Sequence, residues 1–149
     1  MSAIETAWAT HAREALRGAG HRSGGAREGV IDLLARQDCC LTAQEIFDAL
    51  RQDGRSVGIA SVYRALELLR ELRLVQRLDV GDGTARYEPA HPDGDHHHHL
   101  VCDRCGKVEA FEDDTLEAAL GQLADRLPHR VAAHDVVLRG DCGTCTEAG

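Results

Sequence analysis

Apolar residues recur at helical spacing through the first quarter of the chain. Residues 3–18 are weakly amphipathic and are followed by further glycine, which predicts a helix that ends at Gly18. Residues 26–37 carry a second helical pattern. The apolar side of this second helix comprises Val30, Ile31, Leu33 and Leu34. Both helices therefore have one face that must be covered by other parts of the chain.

Two further helices are marked by their starting and ending signals. Thr42 and Glu45 have the spacing of a capping box, in which each side chain satisfies a free backbone donor at the helix start. The helix that begins there stops at Asp53-Gly54. A fourth helix is predicted over 59–72. Its apolar positions are Val62, Leu66 and Leu69.

A β-hairpin is predicted after the fourth helix. Residues 74–80 and 84–88 have strand character, and Gly81-Asp82-Gly83 supplies the turn between them. Helix, helix, turn, helix and hairpin is the order of a winged helix. In that arrangement the last helix enters the major groove of DNA and the hairpin lies along the DNA backbone.

The predicted fourth helix carries the candidate DNA contacts. Because its apolar positions face the core, the residues left near its start are Ser61, Tyr63 and Arg64. On spacing alone, an ordinary solvated helix face is an equal alternative. We add Arg17 and Arg27 as candidate contacts, because arginine is suited to binding phosphate and guanine.

The last third of the chain alternates between strand and helix patterns. Strands are predicted over 96–101, 107–111 and 133–139, and a helix is predicted over 114–127. The helix carries a stripe of leucines at positions 116, 120, 123 and 127. A three-stranded sheet with one helix is too small to be stable alone, so it requires a metal staple and a partner chain.

The predicted fold class is α+β, with two domains joined by a hinge. Residues 1–88 form the winged-helix domain, and 96–149 form a small α/β dimerisation domain with a three-stranded sheet and a four-cysteine zinc site. The hinge, 89–95, contains two prolines and a glycine.

The charge is divided unevenly between the two halves. The net charge of −8 is unusual for a nucleic-acid binder, but residues 1–90 carry 12 arginines against 13 acidic residues. The acidity therefore belongs to 91–149, where bound cations would offset part of it. No apolar run is long enough to span a membrane, and residues 1–18 lack the apolar segment of a secretory signal. We expect a cytoplasmic protein.

Two C-x-x-C pairs, Cys102/Cys105 and Cys142/Cys145, are separated by 36 residues. Each two-residue spacer lets both sulfurs reach the same ion, so four thiolates can surround one tetrahedral Zn²⁺. Disulfides are the alternative. A reducing cytoplasm favours metal.

Four consecutive histidines precede the first C-x-x-C pair. In a strand, neighbouring side chains point to opposite faces, so His96 and His98 share one face and His97 and His99 share the other. A purification tag is the trivial alternative, but tags usually lie at a terminus. The segment can thus supply ligands to separate metal sites.

The residues that carry these motifs resemble a known family. The block HHHHLVCDRCGK (96–107) with its distant C-x-x-C, behind GIASVYRAL (58–66), is similar to the Fur family of metal-dependent repressors. The resemblance runs from about residue 16 to residue 145. It implies a homodimer that binds double-stranded palindromic operator DNA when loaded with metal and represses metal-uptake genes. It also implies that the four cysteines hold a structural zinc.

The resemblance implies a second metal site in the dimerisation domain. Carried over residue by residue, its ligands are His96, His98, Glu117 and His134. The predicted elements agree, since Glu117 lies on the helix and His134 on the last strand.

The resemblance also implies a regulatory metal site between the domains. We expect His97 and His99 to bind this metal with ligands from the hinge and the winged helix, namely His91, Glu88 and Cys40.

The regulatory ligand set departs from both main subclasses of the family. Iron sensors place a histidine where this chain has Cys40, but they share the carboxylate of Glu88. Zinc sensors place a cysteine where this chain has His91 and an aspartate where it has Gln76. The soft thiolate of Cys40 favours Zn²⁺ over Fe²⁺.

A zinc-sensing repressor is therefore the leading interpretation, and an iron-responsive repressor is the first alternative. A zinc storage or chaperone protein could use the same ligands but would not need the winged helix. An enzyme is excluded, because four cysteines leave no open coordination position and no H-E-x-x-H pattern is present.

Overall fold

The computed structural model describes residues 3–22, 24–37, 39–91 and 97–148. The chain divides into two compact units, Met1–His96 and His97–Gly149. The α+β fold class is confirmed. The exact domain bounds and the hinge at 89–95 stay predictions, and Pro89 is the last residue of a strand in the first unit.

The first unit contains four helices and a small antiparallel sheet, as expected for a winged helix. Its helices are α1 (Ala3–Gly18), α2 (Gly25–Arg36), α3 (Ala43–Gln52) and α4 (Ile59–Glu71). Its strands are β1 (Leu41–Thr42), β2 (Val75–Asp79) and β3 (Ala85–Pro89), in the order β1-β3-β2. The predicted helices and hairpin are confirmed. Strand β1 was not predicted, because two residues are too few to show a period.

The core of the first unit lies where the four helices meet the sheet. Its fully buried side chains include Ile31, Leu34, Ile46, Leu50, Leu66 and Leu69. Burial of each such side chain contributes roughly 1.5–3 kcal/mol. Trp8 on α1 adds a polar contact, because its indole N–H donates to the Leu74 carbonyl at 2.9 Å. This core holds α4 with its opposite face in solvent.

The capping box at the start of α3 is confirmed in full. The Thr42 hydroxyl accepts from the Glu45 backbone N–H at 3.1 Å, and the Glu45 carboxylate accepts from the Thr42 N–H at 2.8 Å. Thr42 also pairs with Arg86 in the sheet. The cap therefore fixes the direction of α3 relative to the hairpin β2–β3, which we call the wing.

The second unit is a three-stranded sheet with one long and one short helix. Its elements are β4 (His98–Cys102), β5 (Val108–Phe111), α5 (Asp114–Arg126), β6 (Val137–Gly140) and α6 (Gly143–Ala148). The strand order is β5-β4-β6, with β4–β5 antiparallel and β4–β6 parallel.

Three details of the second unit differ from the sequence prediction. Strand β6 begins at Val137 rather than at residue 133, because the alanines and the aspartate of 132–135 have weak strand propensity. His134 therefore precedes the last strand instead of lying on it. Helix α6 was not predicted. Helix α5 has no buried residue, and its Leu123 and Leu127 are 43% and 46% exposed.

In the part of the chain that the structure describes, no helix has the length and apolar character needed to cross a bilayer.

Candidate metal centres and nucleic-acid interface

The two C-x-x-C pairs are brought together by the parallel pairing of β4 with β6. Cys102 is the last residue of β4 and lies opposite Gly140, the last residue of β6. Both strands therefore end at the same edge of the sheet, and the segments that follow them carry the other three cysteines. Gly106 closes the first turn with a φ of 77°, which a glycine adopts without strain, and its N–H donates to the Cys102 carbonyl at 2.9 Å.

The four sulfur atoms lie within 4.8 Å of one another. A tetrahedral zinc with arms of about 2.3 Å requires sulfurs about 3.8 Å apart. The Sγ atoms of Cys105 and Cys142 are 3.8 Å apart. The described cysteines of this cluster are all free thiols, not disulfides. The cluster therefore suits a structural zinc, which would close its coordination with four thiolates.

The thiols of the cluster differ in acidity. Backbone N–H groups of Cys105 and Cys142 point at the Cys102 sulfur, at 3.5 and 3.3 Å, and these hydrogen bonds lower the Cys102 pKa to about 6. Hydrogen bonds with the Cys142 and Cys102 thiols raise the Cys145 pKa to about 12. The protein thus prepares one thiolate, and the remaining protons must leave when a metal binds.

A second group of ligands lies in the same unit. His98, Glu117 and His134 place their ligand atoms within 4.8 Å of one another. Glu117 accepts from His98 Nε2 at 2.5 Å and contacts His134 Nε2 at 2.9 Å. Three of the four predicted ligands of the second site are thus together, although His134 lies on the segment before β6. The fourth, His96, falls outside the described residues.

The His98 ring is held from both sides. The Val136 backbone N–H donates to His98 Nδ1 at 3.2 Å, so the neutral ring carries its proton on Nε2, facing Glu117. A metal bound at Nε2 would have to replace that proton. The set of two imidazoles and a carboxylate fits a divalent cation chemically.

Strand alternation separates His97 and His99 from His98, as predicted. The His97 and His99 rings contact each other edge to face with their centroids 5.1 Å apart. The His98 ring instead lies 5.6 Å from Phe111 and 5.4 Å from His134. The histidine run therefore serves two groups of side chains rather than one.

The remaining predicted regulatory ligands belong to the first unit. Cys40 is buried, and its sulfur lies 3.6 Å from that of Cys39. The hydrogen bond with Cys39, burial and the nearby negative charge of Glu88 raise the Cys40 pKa far above its ordinary value. Glu88 is 1% exposed and accepts a hydrogen bond from the Gln76 amide, its cross-strand neighbour. His91 is half-buried.

Sequence reasoning missed two of these partners. Gln76 was noted only as a departure from the zinc-sensor pattern, although its amide orients the Glu88 carboxylate. The register of the hairpin could have identified the pair, since Gln76 and Glu88 are equidistant from the turn. The regulatory ligand set as a whole stays a prediction.

The exposed face of α4 carries the predicted nucleic-acid contacts. Tyr63 is 49% exposed, and the Arg64 guanidinium donates to the Ser61 hydroxyl at 3.1 Å. The same surface depression that holds Ser61 and Arg64 is lined by Arg22 and Arg27. All four therefore belong to one concave, basic surface.

Arg17 and Arg27 line a second, adjacent depression. Arg13 also lies there, but its charge is balanced by Glu28 at 2.6 Å and Asp32 at 2.5 Å. Among the described residues, no carboxylate forms an ion pair with Arg17, and its positive charge is available to a phosphate. We call the surface formed by Arg17, Arg22, Arg27, Ser61 and Arg64 the arginine face. Arg22 was not singled out from the sequence.

Comparison with known proteins identifies the family. The model of the ferric uptake regulator family matches residues 18–139. The chain belongs to the ferric uptake regulator family.

Two kinds of relative support the assignment to the ferric uptake regulator family. The ferric uptake regulation protein of Bacillus subtilis is 34% identical over 114 residues, which is 76% of each chain. The solved structure of the Vibrio cholerae ferric uptake regulator aligns with a TM-score of 0.75 at 30% identity, covering 87% of this chain and 98% of that one. That of Helicobacter pylori, described as having three functional metal-binding sites, aligns with a TM-score of 0.80 at 27% identity, covering 95% and 93%.

As a member of the ferric uptake regulator family, the protein is a metal-responsive transcriptional regulator and not an enzyme. The four-cysteine cluster, the His98 group and the arginine face account for the metal-binding and DNA-binding parts of such a regulator.

Proposed function

We propose that the protein is a zinc-responsive repressor of metal-uptake genes that binds palindromic operator DNA as a homodimer in the cytoplasm. The single observation that carries this proposal is the presence, in one chain, of an arginine face and of separate clusters of metal ligands. A storage or chaperone protein would need the ligands but has no use for Tyr63 and Arg64 on an exposed helix face.

Cys102, Cys105, Cys142 and Cys145 hold the structural zinc in this proposal. The 3.8 Å spacing of two of the sulfurs supports the assignment. Bound zinc supplies a permanent cross-link between the end of β4 and the end of the chain. His98, Glu117 and His134, with His96, form the second site.

The regulatory metal is held by His97 and His99 together with Cys40, Glu88 and His91. The proximity of the His97 and His99 rings and the buried, oriented carboxylate of Glu88 support this set. The regulatory metal supplies a tie between ligands of the two units.

Repression then follows from linkage. The ligands of the two units can share one metal only in the arrangement of the dimer that fits the operator, so occupancy shifts the population toward that arrangement. A shift from about 1% to about 99% competent requires roughly 5.5 kcal/mol of differential binding. A site with several protein ligands that is complete in one arrangement alone can provide this energy.

Zinc is favoured as the sensed metal because the set contains a thiol, and soft sulfur ligands select Zn²⁺ over Fe²⁺ or Mn²⁺. Iron is the second candidate. Two observations favour it: the ferric uptake regulation protein of B. subtilis is a relative at 34% identity, and the carboxylate of Glu88 is a ligand that suits iron.

The sensed metal can be tested with a labelled duplex that the zinc-loaded protein enriches from a random library. DNA binding is followed by fluorescence anisotropy while buffered Zn²⁺, or anaerobic Fe²⁺ or Mn²⁺, is raised. We expect Cys40→Ser to weaken the zinc response and Cys40→His to improve the Fe²⁺ response relative to wild type.

Cys39→Ser is the matched control, because its sulfur lies 3.6 Å from that of Cys40. An unchanged zinc response in Cys40→Ser, with strong Fe²⁺-dependent binding by the wild type, would assign the protein to the iron regulators. Loss of the response in Cys39→Ser alone would move the thiol ligand to Cys39.

A further inference from the structure

Two ion pairs connect the first C-x-x-C turn with the second. Asp103 and Arg104 occupy the two spacer positions of the first turn, where side chains need not do anything for a metal. The Asp103 carboxylate accepts from the Arg139 guanidinium at 2.6 Å. The Arg104 guanidinium lies 3.1 Å from the Asp141 carboxylate. The charges are crossed, with one acid and one base contributed by each side.

Arg104 makes a further contact with the second turn. Its Nη1 donates to the Cys145 carbonyl at 2.9 Å, so a single guanidinium reaches both sides of that turn. Cys145 lies on α6 and is the last ligand along the chain. The backbone adds one more link, since the Asp103 N–H donates to the Gly140 carbonyl at 2.8 Å.

These contacts act on the part of the cluster that backbone pairing does not fix. The parallel register ends at Cys102 and Gly140, so the sheet positions Cys102 but not the three cysteines beyond it. Arg104 instead grips both ends of the Cys142–Cys145 turn through Asp141 and the Cys145 carbonyl. Opening of the cluster requires these charge pairs to separate.

We propose that Asp103, Arg104, Arg139 and Asp141 form an electrostatic clamp that holds the two cysteine turns together and slows the loss of the structural zinc. The four residues are positioning residues, because none of them supplies a ligand atom. This inference rests on the proposed assignment of the four cysteines to zinc.

The clamp has a moderate and salt-sensitive effect. All four side chains are partly exposed, between 39% and 53% for the atoms beyond the backbone. Exposed pairs contribute about 0.2–1 kcal/mol each and are screened by salt. We therefore expect loss of both pairs to speed zinc release about threefold to tenfold at low salt.

The test uses the full-length zinc-loaded protein. A mild chelator first removes the more weakly held metal, and an excess of a coloured zinc chelator then reports release of the retained equivalent over time. The variant Asp103→Asn with Arg104→Gln removes one charge of each sign. We expect faster release in 0.05 M salt, and a smaller difference from wild type in 0.5 M salt.

Lys107→Met with Glu109→Gln is the matched control. This pair is as close, at 2.9 Å, and as exposed, but it lies within the segment after the first turn and does not reach the second. It also removes one charge of each sign, so the net charge of the two variants is equal. We expect release within twofold of wild type.

Exchange of charges separates the clamp from a general loss of structure. Asp103→Arg alone is expected to speed release, and Asp103→Arg with Arg139→Asp to restore much of the slow rate. Release at the wild-type rate from Asp103→Asn with Arg104→Gln would overturn the clamp, as would equal acceleration in the Lys107 and Glu109 control. A wild-type protein that retains no zinc after the first chelator would overturn the four-cysteine assignment, and the clamp with it.

Discussion

Arg64 lies on the part of α4 that the core leaves in solvent, two turns from the wing. Its neighbours Val62 and Leu66 are fully buried, so the helix cannot rotate to hide it. An arginine at this position of a recognition helix can bind guanine with two hydrogen bonds, which is worth about 1–3 kcal/mol. We predict that Arg64→Ala weakens binding to a selected duplex about 10-fold to 100-fold, and binding to a scrambled duplex much less.

Arg70→Ala is the control for this prediction. Arg70 is exposed on the same helix but at its far end, where it pairs with Glu67 at 3.3 Å. Removal of Arg70 should leave the preference for the selected duplex intact. Equal losses in Arg64→Ala and Arg70→Ala, measured by anisotropy at one salt concentration, would show that α4 does not read the operator through Arg64.

At the residue scale, the sequence predicted ligands better than it predicted what holds them. Strand alternation correctly separated His97 and His99 from His98. The contacts of Gln76 with Glu88 and of Val136 with His98 could not be read from spacing alone. They depend on strand register and on the path of an irregular segment, which only tertiary packing determines.

At the element scale, the capping box of α3 gives a direct test of local signals. Thr42 caps the helix and pairs with Arg86 in the sheet, so its hydroxyl supports the junction of two elements. We predict that Thr42→Ala lowers the free energy of unfolding by about 1 kcal/mol. Urea unfolding followed by the fluorescence of Trp8, the single tryptophan, measures the first unit.

Thr10→Ala serves as the comparison. Thr10 is exposed within α1, where alanine is the better helix former, so its replacement should be neutral or slightly stabilising. If Thr42→Ala unfolded at the same urea concentration as the wild type, the capping hydrogen bonds would contribute nothing to stability.

The sequence was most informative about long elements with clear ends. The four helices of the first unit have an apolar stripe and a stop signal, and each was predicted to within two residues. Strand β1 has two residues and α6 has six, so neither shows a period. Strand β6 was predicted too early, because its pairing with β4 and not its composition decides where it begins.

At the scale of the whole molecule, the second unit is incomplete as a single chain. Helix α5 buries none of its residues, and its leucine stripe remains exposed at Leu123 and Leu127. Leu100 and Leu138, neighbours across the sheet, are exposed as well. Such a group of apolar side chains is typical of an interface between subunits, which supports the proposed homodimer.

We predict that Leu123→Glu with Leu127→Glu dissociates the homodimer. Two charges placed on the apolar stripe would have to be buried without partners in the interface, which is strongly unfavourable. Sedimentation equilibrium measures the result, with Gln122→Glu as the control at an adjacent exposed position. A double variant that remained dimeric at the wild-type concentration dependence would place the interface elsewhere.

The central claim is that the protein binds its operator only when the regulatory site is filled. The most direct measurement is the affinity for a selected duplex of protein that retains its tightly held zinc, before and after one further equivalent of Zn²⁺ is added. If about 1% of the metal-poor dimer is competent, affinity should rise about 100-fold. His97→Ala with His99→Ala should abolish the rise while the zinc-containing dimer persists. Equal affinities with and without the added metal would contradict the account.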